Sequence, residues 1–464
     1  MASIAAPRER IGRGAISWAL FEWARNPYVL LMVIYVFAPY VTNVVLGGGA
    51  HGQATFSSWQ TISGAIVALT SPFLGAAADR MGHRKPLLAL VTGFFAFGIF
   101  IQYWDMPNEA ALPLWAIQWI AIIAGAAYTW TEVLHNSMLT LAAKPTQVSQ
   151  VSGLGLALGN AGGLVVLIFV LFAFALPGQM ALPGVPAHPL FGLNPAAFEP
   201  QRIVAPICGV WLVLFSIPLF LFTPDRNPSG ESLATAMYHG VGNVVRTILK
   251  LFREFRNVGL FLIARMIYVD GTTGVIIFGG IYASGALHWG FVDLLAFGVV
   301  LSVFAVAGGF VSAWLDNWIG AKRAVLIEVL ITLVCLMIEV SITPTSIFFV
   351  VPVDPTQHIW ASPIFSTLPE LIYILSSIVI AISITAAYAS SRALMAHLSP
   401  PGMEGELFGL YALSSSASAW LAPLLVTIFT AMYQSPRAGF GAIGLLLIVG
   451  FMLLLLVKPP PKPV

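Results

Sequence analysis

Charge is scarce in this sequence. Lysine, arginine, aspartate and glutamate together make up 9% of the 464 residues, against about 25% in soluble globular domains. A chain so poor in charge and 58% hydrophobic has no means of covering itself with a solvated surface. It reads as a protein dissolved in lipid. The formal net charge of +2 selects no partner, and without a basic tract no nucleic-acid partner is expected. Cysteine is scarcer still. Cys208 and Cys335 both sit in apolar runs, which excludes a disulfide framework and reads as small hydrophobes in a core. His51, His83, His135 and His397 fall in or beside loops without ligand spacing, so neither a metal nor another cofactor is expected. A nucleotide loop and a nucleophile–base pair are missing too, which argues against an enzyme. No cleavable leader is evident. The first apolar run, after "PRERIGRGA", is too long for a signal core and is expected to stay in the membrane.

What is present is a series of apolar runs of about 20 residues, matching a hydrocarbon core of about 30 Å at 1.5 Å per residue. Twelve helices are expected, at 17–45, 55–78, 87–104, 113–135, 150–175, 204–223, 259–284, 292–315, 324–343, 367–390, 407–431 and 439–457. Helices are required because a chain in lipid must satisfy its backbone internally. Under this partition, seventeen of the 21 lysines and arginines fall on the side of the N-terminus. Arg202 and Arg437 fall on the other side, and Arg25 and Arg265 lie within spans. Positive residues stay cytoplasmic, so both termini are expected in the cytoplasm of a plasma (inner) membrane. The segment 224–258 opens with the turn-rich "TPDRNPSGES" and continues as a basic amphipathic helix. It divides the chain into a first half (1–223) and a second half (259–464).

The halves echo one another. "GAAADRMGHRKPLL" follows the second span and "SAWLDNWIGAKRAVL" follows the eighth, so Asp79 matches Asp316, Gly82 matches Gly320, and Arg84–Lys85 match Lys322–Arg323. Duplicated halves of this kind mark a transporter. Gly75 is expected to admit a neighbouring helix, Asp79 to cap a helix or hold a cation, and Gly82 to make the turn. Arg80, Arg84 and Lys85 hold the loop at the cytoplasmic face. The loop resembles the signature of the major facilitator superfamily, which implies twelve helices in two six-helix halves and a latch between them on the inner side. The second copy departs from the signature at Ser312 and Asn317.

A narrower resemblance runs along most of the chain. "SWALFEWARN" (17–26), "VSGLGLALGNAGG" (151–163), "YVDGTTGVIIFGGIYA" (268–283) and "SRALMAHLSPPGMEGELFGLYAL" (391–413) are similar to motifs of the autophagy-related vacuolar amino-acid effluxers. The resemblance implies export of a small polar metabolite such as an amino acid. Arg25, Asn26 and Pro27 depart from the family's first-helix motif and Val269 from its seventh. A drug or organic-anion transporter driven by protons, and a receptor or scaffold that transports nothing, are the other readings.

Ionisable residues within spans cost at least about 2.5–3.5 kcal/mol each, so they face a cavity or a partner. At 1.5 Å per residue, Glu22 and Glu132 lie roughly 6–8 Å deep, Arg265 about 9 Å, Arg25 about 12 Å and Asp270 about 16 Å. Glu22 and Arg25, three apart, share a helix face. Arg265 and Asp270, five apart, point away from one another. With Asn26 and Tyr268, these residues are the candidates for binding and coupling. Arg25 offers a fork for a carboxylate, Asn26 and Pro27 loosen the helix, and Asp270 is the candidate for a coupling proton, unless it caps a turn at Gly271. Tyr128, Trp130, Tyr388 and Trp420 are further candidates for the path. Gly155, Gly159 and Gly163 permit close helix packing or a sliding seam between the halves. Arg392, Glu404 and Glu406 form a second candidate latch. The expected unit is a monomer in the lipid bilayer.

Overall fold

The structure, a computed structural model, describes residues 11–144, 147–180, 184–227, 235, 249, 251–362, 364–399 and 404–459. Most of the amphipathic helix expected in 224–258 lies outside them; of its described residues, 249 and 251–254 are helical. The side chains of Asp79, Glu404 and Glu406 are also outside what is described.

Nine helical stretches among the described residues are long and apolar enough to cross a membrane. In chain order they include α1 (Arg13–Val45), α3 (Lys85–Ile101), α5 (Val148–Val170), α6 (Val204–Phe222), α7 (Arg256–Ala286), α8 (Phe291–Ile319), α10 (Leu368–Leu398) and α12 (Pro436–Leu456). The ninth is α11, built from Glu404–Ser418 and Leu421–Tyr433. Three more polar helices complete the set of twelve: α2 (Gly49–Met81), α4 (Leu114–Ser137) and α9 (Ala321–Val340). In the α9–α10 connection a two-residue hairpin pairs Ser346 with Pro352 and Ile347 with Val351.

The packing order repeats. In the first six helices α1 packs on α5 and α6, α2 on α4, and α3 on α4 and α6. In the second six α7 packs on α11 and α12, α8 on α10, and α9 on α10 and α12. Each of these contacts in the first half thus has its counterpart six helices later. The joins between halves obey the same rule, since α2 meets α11 and α5 meets α8.

The helices α1 and α11 change geometry along their length, and α5 closes in a π-helical turn over Leu171–Ala175. In α1 the α-helix stops at Pro27 and π-helical turns run over Tyr28–Tyr35 and Val41–Val45. Their wider spacing shows in the Val36 N–H to Leu31 carbonyl bond of 3.1 Å. Such turns recur at functional sites. The helix α11 breaks at Ala419–Trp420. Pro423 has no N–H and its ring would clash with the carbonyl four residues back, which is that of Ala419. The helix therefore restarts at Leu421, where a proline in the first turn is tolerated.

Away from the termini the halves are sealed. Asn43 of α1 donates to Ser284 of α7 (2.9 Å), Gln53 of α2 to Thr430 (2.9 Å), and Thr427 of α11 to Ser57 (2.9 Å). Gly280 of α7 lies so close to α1 that a Cβ there would stand 2.8 Å from the Ile34 carbonyl oxygen.

Candidate functional site

In the first half the charges are gathered into one network. Arg25 donates to Glu22 at 3.0 Å and lies 3.4 Å from Glu132 of α4, with its guanidinium 4.7 Å above the Tyr128 ring. The other Glu22 oxygen lies 3.2 Å from Nδ1 of His135. His135 is fully buried, stacked on Trp18 at 4.2 Å, and its Nε2 is 2.8 Å from the Trp18 carbonyl. It is a member of the site, not the loop residue expected. The reason is its place on the last turn of α4, which runs on to Ser137. Glu132 is the open member, 42% exposed. It sits nine residues beyond lipid-facing Ile123, half a turn round the helix at 100° per residue, so its exposure is toward the interior.

The α5 glycines hold this network in place. A Cβ at Gly155 would meet Trp18, at Gly159 Asn26 and Glu22, and at Gly162 the Trp23 carbonyl oxygen at 2.7 Å. All these contacts are with α1, inside one half. Close packing is therefore their role, and the sliding seam is not what the glycine face forms.

The second half keeps its charges apart, as their spacing implies. Arg265 donates through one nitrogen to the Tyr411 carbonyl and the Ser414 and Ser415 hydroxyls, each at 2.8 Å, and its guanidinium lies 3.5 Å from the Tyr411 ring centre. It is 4% exposed. Among the described residues no carboxylate comes within ion-pair distance of it, and its Nε has no acceptor. Tyr268 bonds the Ser391 hydroxyl at 2.5 Å, and Tyr388 bonds Thr273 at 3.0 Å.

Asp270 accepts the Ala422 N–H at 2.7 Å. It caps the outer segment of the broken α11, where the free N–H groups and the helix dipole favour a carboxylate. No turn exists at Gly271, because α7 continues through it; the cap expected there is made on α11 instead. Ser418, on the other side of the break, donates to the Met266 carbonyl at 2.7 Å. The break also touches the first half, since a Cβ at Gly64 of α2 would lie 2.7 Å from the Ala419 carbonyl oxygen.

The loop motifs resolve unevenly. Gly82 (φ +82°) and Gly320 (φ +84°) make the expected turns. Among the described residues nothing approaches Gly75 closely, since Val133 would be in ordinary contact with a Cβ at 3.6 Å. The Arg84 and Lys85 amides donate to the Asp225 carboxylate at 2.9–3.0 Å, capping α3. The Arg84 guanidinium reaches the Ser137 carbonyl, and the Lys85 ammonium the Phe220 carbonyl at 2.9 Å. These contacts tie the loop to its own half and to the start of the connecting segment at Asp225. In the second copy Lys322 donates to the Leu455 carbonyl at 3.1 Å. Arg392 is exposed.

Three buried acids were not among the sequence candidates. Glu328 and Glu339 of α9 are 1–2% exposed and are held by Ser390 (3.1 Å) and Ser377. Charges inside an apolar run were the available signal for both. Asp105, just past α3, is wholly buried. Burial pushes its carboxyl up to about 8, against the pull of Arg202.

Two six-helix halves of one packing order, with charges buried at span depth, define a membrane transporter of the major facilitator type. The fold matches that of a D-xylose-proton symporter (TM-score 0.63, 10% identity, 97% of this chain and 98% of that one). It also matches the nucleoside transporter NupG (TM-score 0.59, 14% identity, 96% and 99%). The chain belongs to the family described as vacuole effluxer Atg22 like, matched over residues 44–460. It is 20% identical to the uncharacterised MFS-type transporter YxiO of Bacillus subtilis (strain 168), over 94% of this chain and 93% of that one. It is 23% identical to autophagy-related protein 22 of Yarrowia lipolytica over 67% of this chain, which spans about half of that relative's length.

Proposed function

We propose that this protein carries a small polar metabolite bearing a carboxylate, such as an amino acid, out of the cytoplasm by alternating access, as a monomer with both termini cytoplasmic. The observation that carries this reading is Arg265. A buried guanidinium at span depth is costly without a carboxylate beside it; among the described residues none lies within ion-pair distance of Arg265, and an anionic substrate group supplies one. Arg25, the first choice from sequence, is already ion-paired with Glu22 and Glu132. We assign it to gating of the first half, with the substrate lying between it and Arg265.

Coupling to protons is assigned to Asp270. Its carboxylate holds the restart of α11, and the break there touches α2 across the join. Protonation weakens the charge–dipole contact and loosens the hinge at the seam. The test is thermal stabilisation of the purified protein by a panel of amino acids, organic acids, sugars and nucleosides, with Arg265→Gln and Arg25→Gln beside the wild type. Stabilisation by a carboxylate, lost in Arg265→Gln, is the expected result. A carboxylate shift that survives Arg265→Gln, or stabilisation confined to uncharged sugars or nucleosides, overturns the reading.

A further inference from the structure

We propose that His135 and Glu22 hold one exchangeable proton between them, and that this proton is the clasp through which the first half senses pH. Three contacts fix where it sits. The Trp18 indole N–H donates to the His135 carbonyl at 2.8 Å, and Nε2 of the same histidine lies 2.8 Å from the Trp18 carbonyl. A carbonyl oxygen only accepts, so Nε2 carries a hydrogen. The other ring nitrogen, Nδ1, faces a Glu22 carboxyl oxygen at 3.2 Å. Two lone pairs set against each other in a buried site repel. A hydrogen therefore lies between them, on Nδ1 or on the carboxyl oxygen. The contact lacks hydrogen-bond alignment, so its hold is one of charge.

The surroundings favour the charged ring. His135 is fully buried, stacked on Trp18 at 4.2 Å and 4.8 Å from Phe21, and ring faces attract a cation. It stands on the last turn of α4, where the helix dipole also favours one. The charges facing it are Glu22 and, behind that, Arg25 on α1, with Glu132 on its own helix. With His135 protonated, two carboxylates meet two cations. Without that proton one negative charge is left over. The opposing cation on α3 is Arg84, whose guanidinium is bonded to the Ser137 carbonyl. Leu88 of α3, Val151 of α5 and Leu219 of α6 join Trp18 and Phe21 in an apolar cluster.

The proton has a route and a consequence. Glu22 is 17% exposed and Glu132 42%, so water in the interior reaches the acids and not the ring. Histidine exchanges its proton in the physiological range, which an arginine–carboxylate pair does not. Removing the proton sets the bare Nδ1 against Glu22 and leaves Arg25–Glu132 to tie α1 to α4. This site lies in the first half, apart from Asp270 of α7.

The experiment is solid-state 15N NMR of the purified full chain in lipid, labelled at histidine, between about pH 5 and 8. Comparison with His135→Gln picks out the His135 signals among the eight histidines; His135→Asn serves if the glutamine variant does not fold. In the wild type both ring nitrogens should be protonated at the acid end, and Nδ1 should lose its hydrogen as the pH rises. In Glu22→Gln that loss should come at lower pH, because no carboxylate holds the proton. Unfolding midpoints are read over the same range. A proton held more tightly by the folded chain than by the unfolded one stabilises at low pH, and this is lost as the pH rises. The wild-type midpoint should therefore fall relative to that of His135→Gln as the pH is raised. An Nδ1 that is bare or protonated throughout the range, or a titration that Glu22→Gln leaves in place, would overturn the proposal. The assay needs no substrate, so its outcome is separate from that of the transport reading.

Discussion

Replacing Asp270 with alanine takes away the carboxylate that accepts the Ala422 N–H at 2.7 Å. Three effects describe this one contact and do not add. Loss of a helix N-cap costs about 0.5–2 kcal/mol. A buried N–H left without an acceptor costs about 1–3 kcal/mol. A carboxylate on a helix dipole in a partly buried setting contributes up to about 2 kcal/mol. The expected loss of stability is therefore about 2–3 kcal/mol. Asp270→Asn keeps an oxygen acceptor of the same shape and loses the charge. Charge-assisted bonds are roughly twice as strong as neutral ones, so asparagine should lose about 1 kcal/mol. The assay is denaturant unfolding in detergent followed by tryptophan fluorescence, with transport in vesicles measured on the same variants. Asp270→Asn should fold, bind substrate and lose its response to a proton gradient. Alanine and asparagine variants that both stay within about 0.5 kcal/mol of wild type would refute the cap. Proton-driven transport by Asp270→Asn would refute the coupling.

Arg25→Leu leaves Glu22 and Glu132 without their shared cation and should cost about 3–5 kcal/mol, measured by the same unfolding assay; a cost under about 1 kcal/mol, the range of surface pairs, would mean that the network is not a structural unit. Gly162→Ala puts a methyl against the Trp23 carbonyl oxygen and should destabilise by about 1–3 kcal/mol, while Gly75→Ala should fall within about 0.5 kcal/mol of wild type. Equal effects of the two on the midpoint would contradict the packing described for α5 and α2. For orientation, a cysteine at Arg437 in a cysteine-free background should react with an impermeant maleimide on intact cells, and one at Lys322 after permeabilisation alone; the opposite pattern would invert the topology.

The twelve spans were legible because lipid imposes runs of one length, and the duplication because loop glycines and cations recur at fixed offsets. The Glu22–Arg25 pair followed from helical spacing, and so did the separation of Arg265 from Asp270. Other features depend on contacts that no local pattern records. Asp270 finds its partner 152 residues away, and Arg265 rests on the Tyr411 ring because α11 packs on α7. His135 looked like a loop residue because α4 extends past the apolar run. Glu328 and Glu339 could have been picked out as charges within an apolar run. Asp105 could not, since its burial comes from the fold of the α3–α4 connection.

The copies of a duplicated unit begin with the same mechanics, and here they have diverged. In the first, the glycines of α5 lock onto α1 and Arg25 ties Glu22 to Glu132, which makes a stiff block. In the second, α11 carries a joint at Ala419–Trp420 pinned by a single carboxylate. A rocker with one stiff arm and one jointed arm does not move as mirror images. Most of the bending should fall on the jointed arm, and the stiff arm should serve as the anvil against which it closes.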